Sequence, residues 1–320
     1  MHVTVMGAGG YVGSRLVPAL LDAGHTVRAT FTDPGSARRF WWADAVDVVG
    51  LDVRDRESAR SAAAGTQSLV YLVHGLAGAD FGTVDRESAY NVAHAAVRAR
   101  VERLVYLGGL VPDVAEAELS PHLRSRLEVE QVLTDSGVPT TALRAAMVMG
   151  SGSTSFEIMR HLSARLPVTL VPTWLRHQVE PVAVTDVVAA LVGAVAADPV
   201  TRVYDVGCGE RLPYSELLRR YALAAGLSRP QLPVLLPVGL VAQLAPVFTG
   251  VPASTVRTLV ESLPHDMVCR NHEWVRALLP PGSAPLRVDE SLRRALAEGG
   301  PDPRRTDILG PLPTDPVWAG

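Results

Sequence analysis

The stretch Gly7-Ala8-Gly9-Gly10-Tyr11-Val12-Gly13 decides the fold. It follows a short apolar run, His2–Met6, that reads as a strand, and it opens an amphipathic stretch, Gly10–Ala23, that reads as a helix closed by Gly24. Gly7 allows the tight turn, Gly10 lets the backbone approach a pyrophosphate, and Gly13 lets strand and helix pack closely. The start of the helix then offers free N–H groups and the positive end of its dipole to phosphate. A glycine pattern alone is weak evidence; strand before and helix after supply the context that makes it specific. Tyr11 and Val12, inside the loop, join Gly7, Gly10 and Gly13 as expected cofactor contacts.

Outward from the loop, strands at Thr26–Phe31, Val46–Leu51, Ser68–Val73, Leu104–Leu107 and Thr140–Ala145 alternate with helical stretches around Gly35–Trp42, Arg56–Ala64, Arg86–Arg100 and Pro121–Asp135. That rhythm predicts an α/β fold, a doubly wound parallel sheet of Rossmann type. After Gly150 it changes: a polar loop, Ser151–Ser155, precedes a helix, Thr185–Ala196 is helical, and Arg202–Val206 returns to the sheet. The expected division is a dinucleotide-binding core at 1–150, rejoined by 178–206. A small, mostly helical C-terminal cap takes 151–177 and 207–300, and 301–320 form an extended tail.

Asp33 lies about 20 residues past the last glycine, where an acid would take the ribose hydroxyls of NAD. It also precedes Pro34 and fits a turn cap. Arg38 and Arg39 can meet a 2′-phosphate or stand as solvated charges. The cofactor is NAD or NADP, with the choice open.

A net charge of −3 argues against electrostatic capture by nucleic acid or an anionic membrane. Cys208 and Cys269 have neither disulfide nor zinc spacing, so no metal is expected. The first residues carry no cationic start or apolar signal core, which makes the cytoplasm the expected location. Leu232–Phe248 is strongly apolar but broken by Pro233, Pro237 and Pro246. It is no membrane span, and burial against the cofactor crevice or in a homo-oligomer contact are its two expected fates.

The spacing Gly7-x-x-Gly10-x-x-Gly13 resembles the glycine signature of atypical short-chain dehydrogenase/reductases. Tyr71-Leu72-Val73-His74, Tyr106-Leu107-Gly108-Gly109-Leu110, Ser120–Arg126 and Leu143-Arg144-Ala145-Ala146 are similar to the bacterial NAD(P)H-binding, NmrA-like branch of that family. The resemblance implies that Asp52 and Val53 lie along the adenine, and that Leu72, Val73 and His74 lie beside the inner ribose and nicotinamide. Asp52 as a helix cap, and Val53 and Val73 as core, are the structural alternatives.

Departures from the family pattern matter more. Standard short-chain dehydrogenase/reductases place a Ser after the fifth strand and then Tyr-x-x-x-Lys on the next helix, a pair that the NmrA-like branch lacks. Here those positions hold Gly108-Gly109, His122 and Arg126, and all 30 basic residues are Arg. His122 and Arg126, four apart, share a helix face, with Ser120 and Pro121 fitted to start that helix. The positive helix end keeps His122 neutral. Arg126 stays protonated, so it can hold hydroxyls or a carboxylate but cannot act as a base. Arg144 can orient a ligand or form an ion pair, and Ser153 can meet an anion at the next helix start. His74, Trp174 and His177 are further candidates for the substrate side. The expected activity is NAD(P)-dependent reduction or oxidation of a small apolar carbonyl compound, since hydride transfer is chemistry the cofactor carries. A cofactor-binding sensor or assembly factor without turnover is the rival; a sugar-nucleotide epimerase is disfavoured by the absent Tyr and Lys.

Overall fold

The computed structural model describes residues 1–75, 81–300 and 302–319. Its first half contains strands β1 (His2–Met6), β2 (Thr26–Phe31), β3 (Asp47–Gly50), β4 (Ser68–Tyr71), β5 (Arg103–Gly109) and β6 (Thr140–Ala145). Between them run helices α1 (Tyr11–Asp22), α2 (Arg56–Ala63), α3 (Phe81–Ala99) and α4 (Pro121–Thr134).

The second half adds short strands β7 (Met147–Met149), β8 (Thr169–Pro172), β9 (Gln178–Val179), β10 (Pro181–Ala183), β11 (Arg202–Val206), β12 (Leu212–Pro213) and β13 (Gln231–Val234). Its helices are α5 (Thr154–Arg165), α6 (Val184–Ala196), α7 (Tyr214–Ala224), α8 (Val238–Leu244), α9 (Ala253–Val260), α10 (Glu273–Leu278) and α11 (Val288–Ala295).

Seven strands form one parallel sheet in the order β11-β6-β5-β4-β1-β2-β3. The chain winds outward from β1 through β2 and β3, then resumes on the other side at β4. The gap between β1 and β4 is therefore the switch point, outside whose carboxyl ends ligands bind. Val3, Val5, Leu69 and Val70 are fully buried, as strands covered on both faces require. Leu16, Val17 and Leu20 of α1 and Val184, Val187 and Leu191 of α6 cover one face. Alanines of α2 and α3, with Val129 and Leu133 of α4, cover the other.

The expected helix at Gly35–Trp42 is instead two tight turns, Pro34–Arg39 and Ala43–Ala45. Phe40 and Trp42 are both buried, stacked on each other at 4.8 Å and each against Phe31. Two inward side chains two residues apart suit extended backbone, not a helix. The fourth strand ends at Tyr71, two residues before the expected Val73. Beyond it the chain leaves the sheet, after one last bond from Leu72 N–H to the Met6 carbonyl.

The C-terminal segment is fastened to the core. Arg15 of α1 donates to both oxygens of Asp315 at 2.8 and 3.0 Å, and to the carbonyls of Ile308 and Ser151. Of the expected 301–320 tail, Pro301 and Gly320 lie outside the described residues.

Candidate cofactor and substrate site

A cavity of about 1210 Å³ opens at the carboxyl ends of the strands, between the sheet and the segments that follow β6. Pockets for one small ligand span roughly 300–1,000 Å³, so this one has room for two partners.

One end is the glycine loop. Gly7 has φ +92°, a conformation that L side chains rarely adopt, and a Cβ on Gly13 would stand 2.2 Å from the Gly7 carbonyl oxygen. The loop therefore closes only with glycine at both positions. No side chain caps α1 and no acid lies in its first turn, so its leading N–H groups face the cavity uncommitted. That combination fits a pyrophosphate. The buried Tyr11 hydroxyl, in the same wall, has no hydrogen-bond partner among the described residues.

Beside the loop, Asp33, Ser36 and Arg39 line the wall. Asp33 accepts the Gly35 N–H at 3.0 Å and caps the Pro34–Arg39 turn, and Arg39 reaches the Gly9 carbonyl at 3.2 Å. A carboxylate and a guanidinium thus both stand where adenosine ribose would lie. Arg38 does not line the cavity.

The floor is made by Leu72, Val73, His74, Gly108, His122 and Arg126. Ser120 caps α4 as expected, accepting the Leu123 N–H at 3.3 Å, so His122 and Arg126 point from its first turns into the cavity. Burial first, and Arg126 second, push the His122 pKa down to about 3. The His74 side chain is exposed on the cavity side; desolvation by the protein packed around it, then Arg126 and His122, hold its pKa well below the ordinary value. Both imidazoles are neutral near pH 7. Their neutrality was expected for His122, but burial is its main cause. Arg126 is itself buried, and no carboxylate of the described residues forms an ion pair with it. Gly108 sits where a Cβ would come 2.7 Å from the Tyr106 ring, so Tyr106 under the floor excludes a larger residue there. Burial pushes the Tyr106 hydroxyl up to about 12.

Sequence reasoning missed Asp85. This buried carboxylate on α3 accepts from Gly75 N–H at 2.7 Å and from Ser125 Oγ at 3.3 Å. It ties the His74 segment to the helix carrying His122 and Arg126. Nothing in the local pattern distinguishes it from other helix acids; only the fold brings it under the site.

The opposite wall comes from α5, α7, α8, α9, strand β8 and the turns after α8 and α9, through side chains such as Met159, Leu217, Leu240, Phe248 and Leu263. Trp174 lies there, its indole N–H donating to the Leu236 carbonyl at 2.9 Å. Ser153, Thr154 and Ser155 line the cavity at the start of α5. No charged residue after Arg126 lines it.

Four expected residues stand elsewhere. Asp52 pairs with Arg54 at 2.9 Å, and the Val53 carbonyl accepts from Asn91; neither lines the cavity. They lie past β3, an edge strand two places from β1 and the switch point. Arg144 is bound to Glu130 at 2.7 and 2.5 Å, facing α4 and not the cavity. His177 pairs with Asp266 at 3.0 Å outside the lining. Away from the cavity, Glu180, Cys269 and His272 converge. The Glu180 oxygens already accept from Gly209 and Cys269 N–H groups and face Arg211 at 3.4 Å, which makes the trio a structural knot.

The NAD(P)H-binding family matches residues 7–191. Among solved structures, a Citrobacter sp. triphenylmethane reductase complexed with NADP(H) is 20% identical with a TM-score of 0.73, over 92% of this chain and 100% of that one. An Escherichia coli NADPH-dependent quinone oxidoreductase is 19% identical with a TM-score of 0.71, over 91% and 98%. A Staphylococcus aureus nucleoside-diphosphate-sugar epimerase is 13% identical with a TM-score of 0.74, over 92% and 100%. None of the curated proteins matches the chain in sequence. At these identities the structural likeness shows a shared fold.

Proposed function

The chain belongs to the NAD(P)H-binding family, and from that premise we propose that it is an oxidoreductase that reduces an apolar carbonyl compound without a tyrosine proton donor. NAD or NADP is its cofactor, and when bound it supplies the hydride. The observation that carries the reading is Arg126: a buried guanidinium with no carboxylate partner among the described residues, beside two neutral histidines, facing a substrate-side wall without charged residues.

The residues divide the work. The Gly7–Gly13 loop and the start of α1 hold the pyrophosphate, and Asp33 and Arg39 meet the adenosine ribose. The carbonyl oxygen accepts hydrogen bonds from Arg126 and from an imidazole N–H of His122. As the carbon gains hydride, negative charge grows on that oxygen. A fixed guanidinium in a water-poor site stabilises it strongly. Water entering through the mouth supplies the proton that completes the alcohol and leaves as hydroxide, because neutral His122 carries only its very weakly acidic ring N–H. A sugar nucleotide fits poorly, since no cation in the cap wall would meet its diphosphate. Dependence on a reduced nicotinamide also agrees with the cytoplasmic location read from the sequence.

The test is steady-state NAD(P)H oxidation with apolar aldehydes, ketones and quinones. Turnover that saturates with the dinucleotide and falls at least about tenfold in Arg126→Gln supports the reading. Tight dinucleotide binding with no turnover on any acceptor would replace it with the sensor class.

A further inference from the structure

Between Arg229 and Arg257 the chain carries no ionisable side chain, yet much of this segment faces outward. Leu232, Leu240, Leu244 and Phe248 are exposed, with Leu235 at 89% and Val247 at 74%. Leu170, also exposed, is the register partner of Leu232 across the parallel β8–β13 ladder, so the two stand side by side. Leu170, Leu240, Leu244 and Phe248 line the cavity as well. The outer patch and the inner chamber are thus one continuous apolar surface. Contiguous apolar patches of this kind mark a contact with a partner or a membrane.

We infer that this face seats on the surface of a lipid bilayer and that the cavity draws a long, lipid-dissolved substrate from it. The substrate half of this inference rests on the reductase reading; the docking half does not. A second copy seated here would close the mouth that the same residues form, whereas a bilayer leaves it open to apolar solutes. No described helix is long and apolar enough to cross a membrane, so the contact is interfacial, with leucine and phenylalanine side chains entering the boundary between headgroups and acyl chains. Arginines stand on the helices packed against the patch, α5 and α9, and can pair with lipid phosphates. Arg165 ends α5 and Arg257 lies on α9, both exposed and without an ion pair among the described residues. Arg229 is anchored to the carbonyls of Ser163 and Ala164. With a net charge of only −3, apolar insertion and not bulk electrostatics holds the protein there.

Co-sedimentation of the full chain with phosphatidylcholine vesicles, at low and high salt, tests the docking. Wild type should pellet with vesicles at both salt concentrations. The double variant Leu235→Glu/Val247→Glu should lose binding at least about tenfold, with unchanged melting temperature and dinucleotide affinity. Should that variant melt lower, Leu235→Gln, at the most exposed position, takes its place with the same expected loss. Wild type remaining in the supernatant, or variants that bind as well as wild type, would overturn the inference. So would light scattering that shows a dimer dissociated by the substitutions without any vesicle binding. Vesicle binding is read without turnover, so its failure leaves the reductase reading standing, and an inactive protein that still binds vesicles fails that reading alone.

Discussion

The Asp85 carboxylate accepts the Gly75 amide N–H at 2.7 Å, joining the residue after His74 to the middle of the site's supporting helices. With its other oxygen on Ser125, the residue before Arg126, it fixes both halves of the floor relative to each other. Asp85 touches neither cofactor nor substrate in this arrangement; it is a positioning residue. Asp85→Ala should lower kcat about tenfold or more, because a buried amide left unpaired costs about 1–3 kcal/mol and the His74 turn relaxes. Asp85→Asn keeps an acceptor for Gly75 and should recover most of the loss, with dinucleotide Kd unchanged in both. Equal loss in the two variants would show that charge, not positioning, is the role.

Gly13→Ala should abolish dinucleotide binding. The added methyl would stand 2.2 Å from the Gly7 carbonyl oxygen, so the loop must open and the N–H groups of α1 turn away from the pyrophosphate. Calorimetric titration with NADH and NADPH checks this; wild-type affinity in the variant would mean the phosphates bind elsewhere.

The neutral histidines predict the acid response of the fold. His122 ordinarily titrates near 6.5, but burial and then Arg126 hold it at about 3 in the folded protein. Between those values the unfolded chain binds a proton that the folded chain does not, so stability falls as pH drops. Above pH 6.5 this group contributes no pH dependence. At full slope the loss from His122 is about 1.4 kcal/mol per pH unit; His74 is shifted in the same direction, but its exposed side chain adds less. Denaturant unfolding of His122→Gln between pH 6.5 and 4 should show a shallower slope than wild type. Parallel curves would mean His122 charges freely in the folded state.

The Arg15–Asp315 pair, with side chains 0% and 7% exposed, holds the C-terminal segment to the phosphate helix. Removing one partner of a buried ion pair costs about 3–5 kcal/mol, while replacing both by apolar residues is often neutral. Asp315→Ala should therefore lower the melting temperature by several degrees, and Arg15→Met/Asp315→Leu should regain much of it. An unchanged melting temperature in Asp315→Ala would show that the segment contributes nothing to stability.

How much of this was legible in the sequence follows from what each feature depends on. The strands at Thr26–Phe31, Thr140–Ala145 and Arg202–Val206 could be read residue for residue, because apolar runs bounded by turn signals are local. The glycine loop was legible for the same reason. Phe40 and Trp42 misled the helix reading, since their burial depends on Phe31, distant in sequence. Arg144 was legible as an ion-pair former, but only the fold reveals that Glu130 turns it from the cavity. Asp85 and the β8–β13 ladder were invisible, as each acts through residues far along the chain.

The most direct measurement follows a deuterium label. NAD(P)H deuterated at the transferable C4 position is mixed with excess protein and an apolar aldehyde, and the product is read by mass spectrometry after a single turnover. The account predicts a primary alcohol with one deuterium on the former carbonyl carbon, formed in wild type and at least about tenfold more slowly in Arg126→Gln. Bound dinucleotide that keeps its deuterium while the aldehyde stays unreduced would contradict the account.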